Sequence, residues 1–329
     1  MLYYLQAQVF VHQYTIYSNT STVEKEVISM RIVDLFAGCG GLSLGFEQQG
    51  FDVVAAFEWW DAAIKCYEAN FKHPVLKVDL SDTETAIKII KEYQPDIIIG
   101  GPPCQDFSHA GKRVEASRAI LTDAYAEIVG AIKPMCFIME NVDRAQKSNA
   151  YASARSIFKD AGYGLTEIVL DASLCGTPQK RKRFICFGML GKGDGFALDT
   201  FISRQSKKPM TLRDYFGEDL GFEFYYRHPR NYNRRAVFSI DEPAPTMRGV
   251  NRPVPKGYPG HPNDACPVTP DMHVLSTEER AWVQTFPKTF KWVGNKTDVE
   301  QMIGNAVPVN LAKYVAETVE IVLEECQNG

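Results

Sequence analysis

From Arg31 onward, short apolar runs alternate with amphipathic stretches. Residues 31–36 read as a short apolar strand, and Gly38-Cys39-Gly40-Gly41 follows before a helix-like stretch over 42–49. The spacing predicts a second strand over 51–58, a second helix over 61–70, and further strands over 96–100, 136–140 and 184–187. Strands alternating with helices imply an α/β fold with a parallel sheet and helices on both faces. Ligands on such sheets sit at the carboxyl ends of the strands. Phe36, Glu58, Gly101 and Glu140 are therefore expected to converge on one rim.

The pattern changes after Gly188. Residues 189–270 are rich in Pro, Gly, Arg, Tyr and Asn and hold few periodic apolar runs, which predicts a smaller, loop-rich domain over 189–275. Regular structure resumes near Ser276, with a helix-like stretch over 277–284 and a last helix over 309–325 expected to fold back onto the large domain, 30–188. Residues 1–29 hold no glycine and carry the polar cluster Ser18-Asn19-Thr20-Ser21-Thr22, and Met30 stands directly before the first strand signal. They read as an N-terminal extension, disordered or adding an edge strand.

Composition narrows the class. In 329 residues, 45% are hydrophobic, enough for a large core. No apolar stretch approaches transmembrane length. Residues 1–10 are apolar but lack a basic region and a small-residue cleavage site, so no secretory signal is expected. The eight cysteines are scattered with no Cys-x-x-Cys pair, which argues against a zinc site and a disulfide framework and fits a reducing cytoplasm. Net charge is −4, which speaks against a polyanion partner unless charge is local. It is local: residues 204–235 hold eight Lys or Arg against four Asp or Glu, with Tyr225, Tyr226 and Tyr232 interleaved. Basic and aromatic residues together suit contact with phosphates and base edges, and a polar loop domain without groove contact is the alternative.

The candidate chemistry lies at the strand ends. Asp34-Leu35-Phe36-Ala37-Gly38-Cys39-Gly40-Gly41 is a turn open to close approach by a nucleotide-type ligand, or a plain structural turn; it matches neither Gly-x-Gly-x-x-Gly nor a P-loop. Glu58, about 20 residues past the glycines, suits a ribose diol or is a solvated strand end. Asp79 suits an adenine amino group or a helix cap. In Gly100-Gly101-Pro102-Pro103-Cys104-Gln105-Asp106-Phe107-Ser108, two glycines and two prolines frame Cys104 at the rim, as a nucleophile requires and a structural thiol does not. Glu140-Asn141-Val142 ends the next strand and would set a carboxyl beside that thiol. No histidine stands in these motifs, so a Cys-His protease site is poorly supported. In Gln179-Lys180-Arg181-Lys182-Arg183, alternation puts both arginines on one face, as a clamp for an anionic or carbonyl-bearing substrate or as a basic edge strand.

Taken in order, DLFAGCGG at 34–41, FEW at 57–59, GGPPCQDFS at 100–108, ENV at 140–142, QKRKR at 179–183 and IGNAVP at 303–308 resemble the DNA (cytosine-5) methyltransferases of the bacterial restriction-modification type, from Arg31 to the C-terminal helix. The resemblance implies an S-adenosylmethionine (SAM)-dependent, Rossmann-like sheet over 30–188 plus a small target-recognition domain. It implies that Phe36 and Trp59 pack on the adenine, that the backbone of Gly38, Cys39 and Gly41 lies near the methionine portion, that Glu58 binds the ribose and Asp79 the adenine amino group, and that Leu80, Pro103, Leu121 and Asn305 complete the pocket. S-adenosylhomocysteine would be the product. It further implies that Cys104 attacks C6 of a cytosine flipped out of duplex DNA, that Glu140 contacts N3 and the exocyclic amine, and that Arg183 and Arg181 hold the base or its backbone. A mobile loop after Cys104, with Gln105, Ser108, Gly111, Lys112, Arg113 and Arg118, would close over the DNA. Arg230, Arg234 and Arg248 are the expected DNA contacts of the small domain, and Thr246 is a further candidate there. A cognate restriction endonuclease, a monomer on double-stranded DNA, no membrane association and no metal are part of the same expectation. The competing readings are a tRNA cytosine-5 methyltransferase, which usually carries a Cys-Phe-Thr segment absent here, a catalytically silent DNA-binding regulator, and a nucleotide-dependent oxidoreductase.

Overall fold

Strand β1 (Arg31–Leu35) is buried from Ile32 to Leu35, as a strand covered on both faces must be. The computed structural model describes residues 30–103, 112–229, 231, 233–269 and 271–328, side chains at 112–119 and 328 excepted. The extension 1–29, Cys104, Gln105, Ser108, Gly111, Arg230 and Tyr232 lie outside the described residues, as do the side chains of Lys112, Arg113 and Arg118.

β1 stands between β2 (Asp52–Glu58) and β4 (Ile97–Gly100) in a seven-stranded sheet whose order continues outward through β3 (Val75–Lys77) on one side and through β5 (Cys136–Val142), β8 (Lys182–Leu190) and β6 (Tyr163–Asp171) on the other. Alternate residues feed opposite faces. Ile32, Ile97, Ile99, Cys136 and Ile138 enter one core cluster with α1 (Gly41–Glu47) and α10 (Val309–Asn328). Val33, Leu35, Ile98, Phe137 and Met139 enter the other, beneath α3 (Thr83–Glu92), α4 (Lys112–Ile132) and α5 (Asn149–Asp160). Helices thus cover both faces, and the last helix does return to the large domain, where Leu311, Ala312, Val315, Ala316 and Val319 meet Ile32, Phe46 and Val53. No described helix is long and apolar enough to cross a membrane.

Two expectations need correction. The sheet is not wholly parallel, because β8 runs antiparallel to both β5 and β6. The chain returns from β6 through residues 172–181, too short for the helical crossover a parallel neighbour requires. The consequence is functional. Reversal brings the beginning of β8, not its end, to the carboxyl rim, with Arg183 opposite Val142. Secondly, Lys112, Arg113 and Arg118 are not loop residues at the backbone level, since they lie in the first turns of α4.

The small domain is built on the antiparallel pair β9 (Phe224–Tyr226) and β10 (Val237–Ser239). Its cluster gathers Leu212, Tyr225, Phe238, Ile240, Ala244, Met247, Leu275 and Val283, the first from α7 (Leu212–Phe216) and the last from α8 (Thr277–Val283). Residues 189–211 are divided differently from the expectation, because Ala197 and Phe201, at α6 (Leu198–Ser203), pack in the large core with Tyr314. A short parallel pairing of β7 (Gln179–Lys180) with β11 (Ala244–Pro245) seams the two parts beside α9 (Lys296–Asn305).

Candidate active site

The turn after β1 is built on left-handed backbone angles. Phe36 sits at φ 58°, a left-handed conformation rare for an aromatic residue and concentrated at functional sites. Gly38 and Gly40 follow at φ 57° and 93°. Glu58, at the end of β2, holds this turn: its Oε2 accepts from Gly38 N at 2.8 Å, while Oε1 accepts from Trp59 N and Trp60 N at 2.8 Å each. Trp59 next to it is 60% exposed, with Lys77 Nζ 5.2 Å from its ring centre. A fixed carboxylate, a bare indole and a glycine turn, joined by the Gly38–Glu58 hydrogen bond, fit an adenosyl ligand with a ribose diol. Asp79 is exposed and its Oδ1 accepts from the backbone and hydroxyl of Ser81, while Asp82 caps α3. Leu80 is buried, Leu121 is half-buried on α4, and Cys39 is a buried thiol that burial pushes well up.

The 303–308 motif closes against this turn. A Cβ on Gly41 would stand 2.3 Å from Val307 O, so the backbones meet directly. Asn305 is exposed at the end of α9, with its Oδ1 accepting from Gln301.

At the centre of the rim, Glu140 is buried beside Gly101, where an added Cβ would lie 3.1 Å from Glu140 Oε2. Arg183 Nε is 2.8 Å from Glu140 Oε1, yet that oxygen has no aligned hydrogen-bond donor. Burial raises the Glu140 carboxyl above its usual pKa, outweighing the pull of Arg183 and Arg181. Asn141 then ties the proline loop to β5: its Nδ2 donates to Pro102 O at 3.0 Å and its Oδ1 accepts from Val142 N at 2.8 Å. Pro103, exposed, is the last described residue before Cys104. The chain leading to the thiol is thereby anchored beside the carboxyl.

Arg181 and Arg183 hold different partners. Arg181 is 1% exposed, and its guanidinium donates to the carbonyls of Met247 and Gly304 at 3.0 Å, of Ala306 at 3.0 Å and of Asn305 at 3.5 Å. The break between β7 and β8 turns it into the junction of the small domain with the 303–308 motif. Alternation does turn both arginines inward while Lys180 and Lys182 are exposed, and both act on the Glu140 carboxyl, but their guanidinium groups take different partners. Gln179 and Gln284 complete the junction: Gln179 accepts from Met247 N and donates to Gln284, which donates to Ile303 O and Ala306 O. Sequence reasoning missed this cluster, and a glutamine alone gives no signal for it.

The basic segment is also sorted by the structure. Arg204 is bound to Glu317 and Thr318 of α10, Arg213 to Asp241, Glu218 and Glu223, and Arg235 to Glu242. These charges neutralise neighbours within the protein. Arg234 and Arg252 are exposed. Arg248 donates to His228 O at 2.5 Å and Arg227 to Thr246 O. The hydroxyl of Thr246 itself donates to Lys180 O at 2.8 Å across the seam. The His228 imidazole is pushed below its usual pKa by burial and by Arg252, Arg248 and Arg227. Arg252 extends the positive set that the sequence pointed to with Arg248, and the neutral form of His228 is favoured among these arginines.

The sheet order, the reversed β8 and the glycine turn define the fold of the SAM-dependent methyltransferases. A solved structure of the S. pombe Dnmt2 methyltransferase superposes with a TM-score of 0.68 at 17% identity, covering 91% of this chain and 99% of that one, a likeness of fold. Residues 30–320 match the model of the C-5 cytosine-specific DNA methylases. The chain is 56% identical over 292 residues to the Type II methyltransferase M.HindV of Haemophilus influenzae, spanning 88% of this chain and 96% of that protein. It is 52% identical over 297 residues to the Type II methyltransferase M.HgiDI of Herpetosiphon aurantiacus, spanning 90% and 96%. The chain belongs to the C-5 cytosine-specific DNA methylase family.

Proposed function

We propose that this chain methylates carbon 5 of a cytosine extruded from a short duplex sequence, with Cys104 as nucleophile at C6 and Glu140 as the proton-carrying group at N3. The observation that carries the proposal is the buried Glu140–Arg183 pair beside Gly101, three residues before Cys104. Carbon 5 of cytosine is a poor nucleophile until a group adds at C6. Addition pushes electrons toward N3, and a carboxyl whose pKa burial raises is suited to supply the proton and hydrogen bond that stabilise them. Arg183 restrains that carboxyl and faces the same rim. Asn141 positions the loop that presents the thiol. The face attacked is covered in a base stack, so the cytosine has to leave the duplex.

S-adenosylmethionine supplies an electrophilic methyl group when bound. Phe36, Gly38, Cys39, Gly41, Glu58, Trp59, Asp79, Leu80, Pro103, Leu121 and Asn305 are the residues proposed to hold it. Arg181 is assigned to the junction of the two domains rather than to the base. The part from Leu212 to 275 is proposed to read DNA, with Arg234, Arg248 and Arg252 described on it and Arg230, Gln105, Ser108, Lys112 and Arg113 completing the contacts. The protein would act as a monomer in the cytoplasm and protect host DNA from a cognate endonuclease.

Incubation with tritiated S-adenosylmethionine and either duplex DNA or tRNA tests the reading. Label on DNA that disappears in Cys104→Ser is expected, and a duplex carrying 5-fluorocytosine should leave a stable adduct on that sulfur. Label on tRNA alone, or methylation with Cys104 unmodified in the trapped complex, overturns it.

A further inference from the structure

The segment that follows β11 is held at successive carbonyls by arginines from separate parts of the chain. Arg227 donates to Thr246 O, Arg181 to Met247 O at 3.0 Å, and Arg280 to Arg248 O. Arg280 stands on α8 and is buried. Its Nη1 forms an ion pair with Glu300 Oε2, on α9, which is also buried. The other oxygen, Glu300 Oε1, accepts from Thr277 Oγ1 at 2.7 Å. Helix α9 also meets the segment directly. A Cβ on Gly304 would stand 2.1 Å from Gly249 N, and one on Gly249 would stand 2.3 Å from Gln301 Oε1. Just beyond this anchored stretch, Val250 is 51% exposed and Arg252 is exposed, while Asn251 Nδ2 donates to Leu275 O at 2.8 Å.

We propose that Arg280, held by Glu300, is a positioning residue for sequence readout: it fixes the backbone at 248–249 so that Arg248, Val250 and Arg252 meet the DNA in one register. The inference rests on the reading that the part from Leu212 to 275 contacts DNA. Taking a guanidinium and a carboxylate out of water is costly, and well-packed apolar residues in their place often give equal or greater stability. Stability therefore does not account for the pair. An apolar pair could not donate to Arg248 O, and a charged donor makes a stronger bond there than a neutral one. Glu300 restrains the guanidinium that makes it.

The order of the anchors gives Arg280 its particular role. Arg227 and Arg181 hold the two carbonyls farther from the exposed tip, and Arg181 serves the 304–306 carbonyls as well. Arg280 holds the carbonyl nearest the tip, and neither it nor Glu300 is among the residues proposed to hold S-adenosylmethionine. Without its bond the segment stays attached at 246 and 247 while the tip is released. Base-edge contacts need close distances and angles, whereas phosphate contacts carry no sequence information. A released tip therefore keeps much of its affinity for DNA and loses discrimination between sequences.

The test is bisulfite sequencing of a mixed-sequence plasmid methylated by the wild type and by two variants. The double variant Arg280→Met/Glu300→Met removes both charges together and leaves no unpaired ion buried. Gly249→Ala keeps the pair and displaces the same backbone, because its methyl group meets Gln301. In both, methylation at sites one base pair away from the site that the wild type selects should rise about tenfold relative to that site. The double variant should keep the urea midpoint and the calorimetric affinity for S-adenosylmethionine of the wild type. Wild-type discrimination in a folded double variant would make the pair structural and overturn the proposal. Should the double variant not fold, wild-type discrimination in Gly249→Ala overturns it. No 5-methylcytosine from the wild type would instead remove the reading on which it rests.

Discussion

Glu140 and Asp34 are buried carboxyls whose protons are set by burial rather than by their partners, and each gives the protein a pH signature. For Glu140 the raised pKa extends the protonated range upward, so methyl transfer that needs that proton should decline as pH rises through the folded-state value. Glu140→Gln is expected to lower kcat by 10²–10⁴, on the order typical for loss of a positioned acid. Arg183 lowers the Glu140 pKa, so in Arg183→Met the alkaline limb of the rate profile should move to higher pH as kcat falls; a limb that does not move would detach Glu140 from it. Asp34 acts on stability. Its folded value near 7 lies above the unfolded one near 3.8, so the folded state binds the extra proton between them. That contribution is complete below the unfolded value and is lost as pH rises through about 7, with a slope of at most about 1.4 kcal/mol per pH unit. Asp34→Asn should therefore gain on the wild type in urea melts as pH rises from about 4 to about 7, and parallel curves over that range would show that Asp34 does not carry the raised value.

At the level of elements, the reversal of β8 decides which side chains share the rim. It brings Arg183 to Glu140, while the break before it commits Arg181 to four carbonyls of the Met247 and 304–306 segments. The two roles make different predictions for Arg181→Lys. A lysine cannot reach both groups of carbonyls, and a buried carbonyl without a donor costs about 1–3 kcal/mol. The variant should lose on the order of 3 kcal/mol by denaturant titration and bind both S-adenosylmethionine and DNA less tightly. Full stability with lost turnover would return Arg181 to the base.

For the whole molecule, a net charge of −4 is reconciled with a polyanion by where the charges are compensated. Arg213 sits among three carboxylates, whereas Arg252 is exposed near His228 and Arg248. Replacing Arg252 with glutamine should weaken duplex binding on cognate and unrelated sequences alike and reduce the slope of log affinity against log salt by about 1. Arg213→Gln should leave the slope unchanged and lower the melting temperature. Equal slopes in the two variants would show that Arg252 does not face the phosphates.

The sequence by itself determined the alternating strands and helices, the convergence of Phe36, Glu58, Gly101 and Glu140, and the return of the last helix, because each rests on local periodicity or on glycines and prolines that act within a few residues. The ordered motifs determined the family for the same reason, since each is a local requirement of one strand end. Only the tertiary structure decided that β8 runs backwards, that Arg181 serves a junction while Arg183 serves Glu140, and that Arg204, Arg213 and Arg235 are neutralised at home. Their partners lie in other elements, Glu317 being 113 residues from Arg204 and Gly304 being 123 from Arg181. Hydrogen bonds and charges choose partners by distance in space, and no spacing along the chain announces them.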